Sequence, residues 1–175
     1  MNSFPPTSSR QGGILLRLSL LIALAAVLIL GILSLLNSLS RSAKCAEQLR
    51  DIYLALELFE LDKGSLPHLA FFPDDPLTDT DSLRVVLEEY GLRASSCVCP
   101  AAAPRLRDTG LTYIWNVRLN GANLQIENRE REWMLIDAAA LSADLPSPHL
   151  GGFNVLFTDG TVERIAMPLS LLRGL

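Results

Sequence analysis

Near its C-terminus the chain reads His149-Leu150-Gly151-Gly152-Phe153-Asn154-Val155-Leu156-Phe157-Thr158-Asp159-Gly160-Thr161. The run from Asn154 to Phe157 predicts a short strand, which we expect to pair with residues 162–165. Asp159-Gly160 predicts a type I′ hairpin turn, because both central residues of that turn need a positive φ. Nine residues separate His149 from Asp159, and Gly151-Gly152 forms a hinge before the strand. The segment therefore predicts a terminal hairpin in an antiparallel sheet.

The opposite end of the chain is dominated by apolar residues. Leu18–Ser40 covers 23 positions without a charged side chain, and a membrane-spanning helix needs about 20 such residues. A cleaved secretory signal is the alternative, but its apolar core is shorter and ends at a small-residue cleavage site. No clear Ala-x-Ala site closes this run, so we expect a membrane anchor.

The helical pattern continues beyond the apolar run as one amphipathic stripe. Its apolar members recur at spacings of 4, 3, 4 and 3 residues: Cys45, Leu49, Ile52, Leu56 and Phe59. Such spacing is typical of a helix that buries one face. Gly64 stands where a helix C-cap is expected, and Pro67 forbids continuation. The sequence predicts one helix over residues 14–63.

The rest of the chain predicts a small head, defined here as residues 65–175. We expect a second helix over Ser82–Tyr90, capped by Asp79 or Asp81 and stopped by Gly91. Strands are expected at residues 111–119, 122–127, 132–137 and 154–157, with Asn120-Gly121 as a hairpin turn. The fold class is α+β, with a long helix packed on a small antiparallel sheet. The expected domains are residues 1–13, a leader or cytoplasmic tail; 14–40, a transmembrane helix; 41–64, its extension; and the head.

Charge is distributed unevenly along the chain. All 19 acidic residues follow position 45, where only 11 basic residues accompany them. Nucleic-acid binding depends on lysine and arginine contacts to phosphate. The acidic head therefore predicts no nucleic-acid partner.

The three cysteines are Cys45, Cys97 and Cys99. No second cysteine pair or histidine at zinc spacing accompanies Cys97-x-Cys99, so the sequence predicts neither a metal site nor a cofactor. If the head lies in the periplasm, a disulfide from Cys45 to Cys97 or Cys99 can persist. Three reduced, partly buried cysteines are the alternative.

Two further groups of residues raise the question of chemistry. Asp79 and Asp81 belong to an acidic loop that offers carboxylates to calcium, but the spacing is not that of an EF-hand and a solvated loop is favoured. His149 and Asp159 could form an acid–base pair. A structural role is favoured, because no serine or cysteine nucleophile occurs in a recognisable motif and Asp159 is needed by the turn. We therefore expect no enzyme activity.

Four features, in order, resemble one known family. They are the apolar N-terminal helix, its extension from Lys44-Cys45 to Gly64-Ser65-Leu66-Pro67, Cys99-Pro100 before a strand containing Tyr113, and the H-x9-DG box, whose members are His149, Gly151, Gly152, Asn154, Asp159 and Gly160. The set resembles the bacterial type II secretion pseudopilin-like and type IV pilin-like proteins. The resemblance implies a single-pass inner-membrane protein with a cytoplasmic N-terminus and a periplasmic C-terminal domain. It also implies a structural or assembly subunit that contacts the lipid bilayer, other pilin-like subunits or secretion-machine proteins.

One position departs from the family pattern. Type IV prepilins are cleaved after a glycine, and the mature chain has glutamate at its fifth position. Cleavage between Gly13 and Ile14 would place Leu18 there. The glutamate neutralises a neighbouring α-amino group in lipid, where an unpaired charge is costly. The alternative function is therefore a membrane-tethered periplasmic binding or interaction domain that does not polymerise.

Overall fold

The computed structural model describes residues 9–124, 131–142 and 144–166. The chain forms two compact units, and the boundary between them follows Asn37. The fold class predicted from the sequence is confirmed: a long N-terminal helix is combined with a small antiparallel sheet.

Helix α1 spans Ser9–Lys63, 55 residues in all. It begins five residues before the predicted start at Ile14, because residues 9–13 contain no proline and the Gly12-Gly13 pair costs helix stability of only about 1 kcal/mol per glycine. The predicted end is confirmed. Gly64 has a φ of 81°, and its N–H donates to the carbonyl of Glu60 at 2.7 Å.

Within the first unit the apolar side chains of α1 are exposed. Every side chain from Leu15 to Asn37 is exposed, including leucines 53–72% accessible between Leu15 and Leu20. The helix is long and apolar enough to cross a membrane once. The predicted span, Leu18–Ser40, lies inside it.

Among the described residues, four strands form a single antiparallel sheet in the order in which they occur along the chain. The strands are β1 (Tyr113–Trp115), β2 (Trp133–Asp137), β3 (Phe153–Phe157) and β4 (Val162–Ile165). The predicted terminal hairpin is confirmed, since Asn154 pairs with Arg164 and Leu156 pairs with Val162. Each strand therefore neighbours the next one in sequence, and the antiparallel pairing places the end of β2 beside the start of β3.

Short helical segments lie between α1 and β1, between β1 and β2, and between β2 and β3. In the part of the chain that the structure describes, they are α2 (Leu83–Leu87), α3 (Pro104–Arg107) and the 3₁₀ helices Glu88–Tyr90, Ala94–Cys97, Val117–Leu119 and Ala138–Leu141. The predicted helix at residues 82–90 is present as α2 and the 3₁₀ turn after it, and it ends at Gly91, whose φ is 80°. The predicted caps are wrong. Ser82 occupies the N-cap position, while the Asp79 carboxylate accepts the N–H of Asp75.

The predicted strand at residues 111–119 is shorter than expected. After Trp115 the chain turns into a 3₁₀ helix, whose start is capped by the Asn116 side chain. Asn120-Gly121 is not a hairpin turn: the Asn120 amide accepts from the N–H of Leu69 and donates to its carbonyl. β1 pairs with β2 instead. The predicted return strand is therefore wrong for residues 122–124, and its remaining residues, 125–127, lie outside the described residues.

Both faces of the sheet are covered. Side chains alternate across β1, so Tyr113 and Trp115 face the core that contains the α1 stripe, while Ile114 faces the other side. The α1 stripe is buried as predicted at its first four members and half-buried at Phe59: Cys45, Leu49, Ile52 and Leu56 are all 0% exposed. Burying a leucine or isoleucine side chain contributes about 1.5–3 kcal/mol. The second half of α1 therefore packs against the head and contributes to its core.

Candidate functional site: a buried cysteine–histidine cluster

The hairpin of the H-x9-DG box closes differently from the type I′ prediction. The N–H of Gly160 donates to the Phe157 carbonyl at 2.9 Å, and the Phe157 N–H donates to the Thr161 carbonyl at 2.9 Å. The loop therefore contains three residues, with Gly160 at the left-handed position (φ 77°). A three-residue loop of this kind ends in a bulge, and glycine suits the bulge position. Asp159-Gly160 still marks the turn, but the two residues do not form its centre.

Asp159 acts within this loop and at its edge. Its carboxylate accepts the N–H and hydroxyl of Thr161 and lies 2.9 Å from the Arg131 guanidinium. Partial burial raises the pKa of the carboxyl, but the Thr161 and Arg131 contacts outweigh it and leave the pKa below its ordinary value. Asp159 is thus engaged as an anion by groups other than His149.

The Gly151-Gly152 hinge turns the chain so that His149 lies beside β3. Both glycines have a positive φ, 92° and 141°, and the Gly152 N–H donates to the His149 carbonyl at 3.1 Å. A Cβ on Gly152 would lie 2.2 Å from the carbonyl oxygen of Ile165, at the end of β4. Glycine is needed here because the backbone of β4 occupies the space of a side chain.

The His149 side chain is buried among polar groups from three parts of the chain. Its Nε2 lies 3.2 Å from Asp137 Oδ2, 3.0 Å from Asn154 Nδ2 and 3.7 Å from Cys99 Sγ. Asp137 ends β2 and Asn154 lies in β3, so sheet pairing places both against the histidine. The partner of His149 is therefore Asp137, which sequence reasoning did not identify.

Nε2 serves one hydrogen-bonding role at a time. Unprotonated, it accepts from the Asn154 amide; protonated, it donates to the Asp137 carboxylate. The same carboxylate oxygen accepts the backbone N–H of Asn154 at 2.6 Å. The described residues supply no hydrogen-bond partner for Asp137 Oδ1 or His149 Nδ1. Both atoms therefore remain available to a ligand inside this buried polar cluster.

A disulfide adjoins the histidine. Cys45 of α1 is joined to Cys99, which lies 54 positions later in the sequence, and 5.0 Å separate their Cα atoms. The sequence left Cys97 and Cys99 as equal candidates, and the structure pairs Cys99. Cys97 is a buried free thiol, and burial raises its pKa to about 12, against a smaller lowering by the charge of Arg84. The bond ties the second half of α1 to the segment between the 3₁₀ helix Ala94–Cys97 and α3.

The two cysteines of the disulfide and His149 form a potential metal-ligand group. The ligand atoms of Cys45, Cys99 and His149 all lie within 4.8 Å of one another, and all three residues are buried. In the part of the chain that the structure describes, this is the one group of three or more such ligands, and Asp79 and Asp81 do not belong to it. Sequence reasoning missed the group because its members are far apart in the chain, at none of the usual zinc spacings.

The remaining candidate residues of the sequence lie elsewhere. Gly13 and Ile14, the predicted cleavage residues, both lie within α1. Asp79 lies in the loop before α2, where its carboxylate accepts the N–H of Asp75. The Asp81 carbonyl accepts the N–H of Ala70. Neither of these places belongs to the cysteine–histidine cluster.

An apolar face of α1 remains uncovered in the second unit. Leu54, Leu58 and Leu61 are 57%, 52% and 84% exposed, and they follow one another at spacings of four and three residues. Those spacings align the three side chains along one side of a helix. The second half of α1 therefore has one apolar stripe in the core and another at the surface.

Comparison with protein-family models, with curated proteins and with solved structures found no match to this chain.

Proposed function

We propose that this chain is a pseudopilin-like structural or assembly subunit of a type II secretion or type IV pilus-like system. Its N-terminal helix anchors it in the bacterial inner membrane, with the N-terminus in the cytoplasm and the head in the periplasm. Its partners are the lipid bilayer and other pilin-like or secretion-machine proteins.

The observation that carries the proposal is that the two parts of α1 have different surroundings. Its first part is rich in apolar residues and is exposed from Leu15 to Asn37, which suits lipid, while Cys45, Leu49, Ile52 and Leu56 farther along lie in the core of the head. The Cys45–Cys99 disulfide and the buried leucines hold this second part in place. A helix that serves as both anchor and core is what the resemblance to pilin-like proteins implies.

The exposed leucines on α1 support assembly. Exposed apolar stripes on a folded head are unfavourable in water and mark contact surfaces. A neighbouring subunit that presents its own α1 would cover Leu54, Leu58 and Leu61 together. The H-x9-DG box has a structural role in this proposal, since its residues hold the terminal hairpin and the buried cluster.

Disulfide cross-linking in native membranes tests the assembly proposal. We expect Leu58→Cys in the full chain to give cross-linked dimers on mild oxidation, because Leu58 is exposed on the proposed contact face. Asp108→Cys, an exposed position at the end of α3 outside α1, is the matched control and should cross-link much less. Equal cross-linking at both positions, or none at Leu58→Cys, would contradict assembly through α1.

A membrane-tethered binding domain that does not polymerise is the second candidate function. The observation that favours it is Leu18, which stands where the pilin-like pattern has glutamate. Mass analysis of the native N-terminus separates the two candidates. A chain that begins at Ile14 supports processing and assembly, whereas an intact Met1 or Asn2 terminus in cells with an active prepilin peptidase favours the tether.

A further inference from the structure

The buried cluster of Cys45, Cys99, His149 and Asp137 contains more ligand atoms than a structural disulfide requires. Each of these residues is at most 3% exposed. The two sulfurs and the imidazole nitrogen already lie within 4.8 Å of one another, and the Asp137 carboxylate adjoins the same nitrogen. The cluster depends on the fold, since α1, the Cys97–Cys99 loop, β2 and the segment before β3 each contribute one member.

The distances to Nε2 are those of ligands that share a tetrahedral ion. Zinc bonds of about 2.3 Å to sulfur and about 2.0–2.1 Å to nitrogen or oxygen place tetrahedral ligands roughly 3.6 Å apart for sulfur and nitrogen and roughly 3.3 Å apart for nitrogen and oxygen. Here Nε2 lies 3.7 Å from Cys99 Sγ and 3.2 Å from Asp137 Oδ2. Two movements are required: the two sulfurs, which are covalently joined, must separate, and the Asp137 carboxylate, which adjoins Nε2 but does not belong to the group of ligand atoms within 4.8 Å, must approach them.

We propose that, when the Cys45–Cys99 disulfide is reduced, Cys45, Cys99 and His149 bind one zinc ion, with Asp137 as the fourth ligand. A dithiol reductant supplies two electrons and two protons to the disulfide and becomes a disulfide itself. Zinc then displaces the two thiol protons to solvent and forms two Zn–S bonds. Nε2 donates its lone pair to zinc, and the imidazole proton resides on Nδ1. A disulfide oxidant reverses the step: it takes two electrons from the two thiolates and two protons from solvent and becomes a dithiol, while the Cys45–Cys99 disulfide re-forms and zinc leaves.

The charge balance of the cluster favours zinc binding. Two thiolates neutralise the two positive charges of the ion, so the buried cluster retains only the charge that the Asp137 carboxylate brings. Burial of an uncompensated charge is costly, and this arrangement adds none. Thiolate and imidazole ligands select zinc over calcium or magnesium. The link between α1 and the head is therefore kept in both redox states, by a covalent bond when oxidised and by an ion when reduced.

Metal titration of the full chain in detergent tests the proposal directly. The protein is reduced anaerobically with a phosphine, which itself becomes a phosphine oxide, and is then titrated with zinc or cobalt(II). We expect one metal per reduced chain, with the thiolate-to-cobalt charge-transfer and d–d absorption bands of a tetrahedral site. X-ray absorption at the zinc edge should show two sulfur ligands and an imidazole. The oxidised chain should bind no metal.

Variants identify the ligands. Cys97→Ser removes the third cysteine and should leave zinc affinity unchanged, while His149→Ala should weaken it by at least about tenfold. Asp137→Asn should shift the cobalt d–d bands while keeping the sulfur charge transfer. A reduced wild-type chain that binds no zinc would overturn the proposal, as would loss of binding in Cys97→Ser. If His149→Ala fails to fold, the wild-type absorption spectrum decides, since a site without two sulfurs and an imidazole contradicts the assignment.

Discussion

At the scale of single residues, Gly152 has the most constrained position. We expect Gly152→Ala to destabilise the head, because a Cβ would meet the Ile165 carbonyl oxygen at 2.2 Å and the φ of 141° is unfavourable for alanine. Strain and overpacking each cost about 1–3 kcal/mol. Gly151→Ala is the matched control, since it shares a positive φ but its Cβ approaches only Arg164 Cδ, at 3.9 Å. Chemical unfolding of the full chain can be followed by tryptophan fluorescence. The denaturant midpoint of Gly152→Ala should be clearly lower than that of Gly151→Ala. Equal midpoints would contradict the close approach between Gly152 and Ile165.

The buried thiol of Cys97 gives a pH-dependent expectation. Burial raises its pKa from 9.0 to about 12, so the native thiol stays protonated and unreactive near neutral pH. Because the folded pKa lies above the unfolded one, this group favours the fold below pH ~9 and loses that contribution as the pH rises to ~12. Alkylation of the oxidised protein at pH 8 should be far slower in the native state than in denaturant. Similar rates in both states would show that Cys97 is accessible.

The glycines at helix ends and turns could be predicted from the sequence, but the partners of the buried polar side chains could not. Gly64, Gly91 and Gly160 were recognisable because helix ends and turns need a positive φ, and all three have one. The pairing of His149 with Asp137 was not, because the register of the sheet and the Gly151-Gly152 hinge together bring those residues into contact. The hairpin turn predicted at Asn120-Gly121 was wrong for a related reason. The Asn120 side chain forms hydrogen bonds with the backbone of Leu69, and the local sequence does not encode that contact.

At the scale of elements, the disulfide between α1 and the head governs stability. We expect the double variant Cys45→Ser/Cys99→Ser to lose up to about 4 kcal/mol of unfolding free energy, the value for freeing a loop of this length. Cys97→Ser removes a buried thiol without touching the bond and should cost much less. Thermal unfolding of the full chain under oxidising conditions compares the two. A double variant as stable as Cys97→Ser would mean that the core alone secures α1.

The hydrophobic periodicity of the sequence predicted some helices and strands better than others. The long helix and the terminal hairpin were predictable, because each has a sustained apolar pattern and a glycine at its end or turn. The strand at residues 111–119 was overestimated, since its apolar residues beyond Trp115 serve a 3₁₀ helix instead. Burial on both faces of β1 removed the alternation that would have marked its true end.

At the scale of the whole molecule, membrane anchoring by α1 is the feature on which the proposed function depends. We expect the full chain to remain in the membrane pellet after alkaline carbonate washing, because Leu18–Ser40 carries no charge and α1 is long enough to span. Leu24→Arg/Leu28→Arg places two charges inside the span at a cost of about 2.5–3.5 kcal/mol each, which should release a large fraction to the supernatant. Leu24→Ala/Leu28→Ala is the neutral control and should stay in the pellet. Complete release of the wild-type chain would exclude α1 as an anchor, and with it both the pilin-like subunit and the tethered domain.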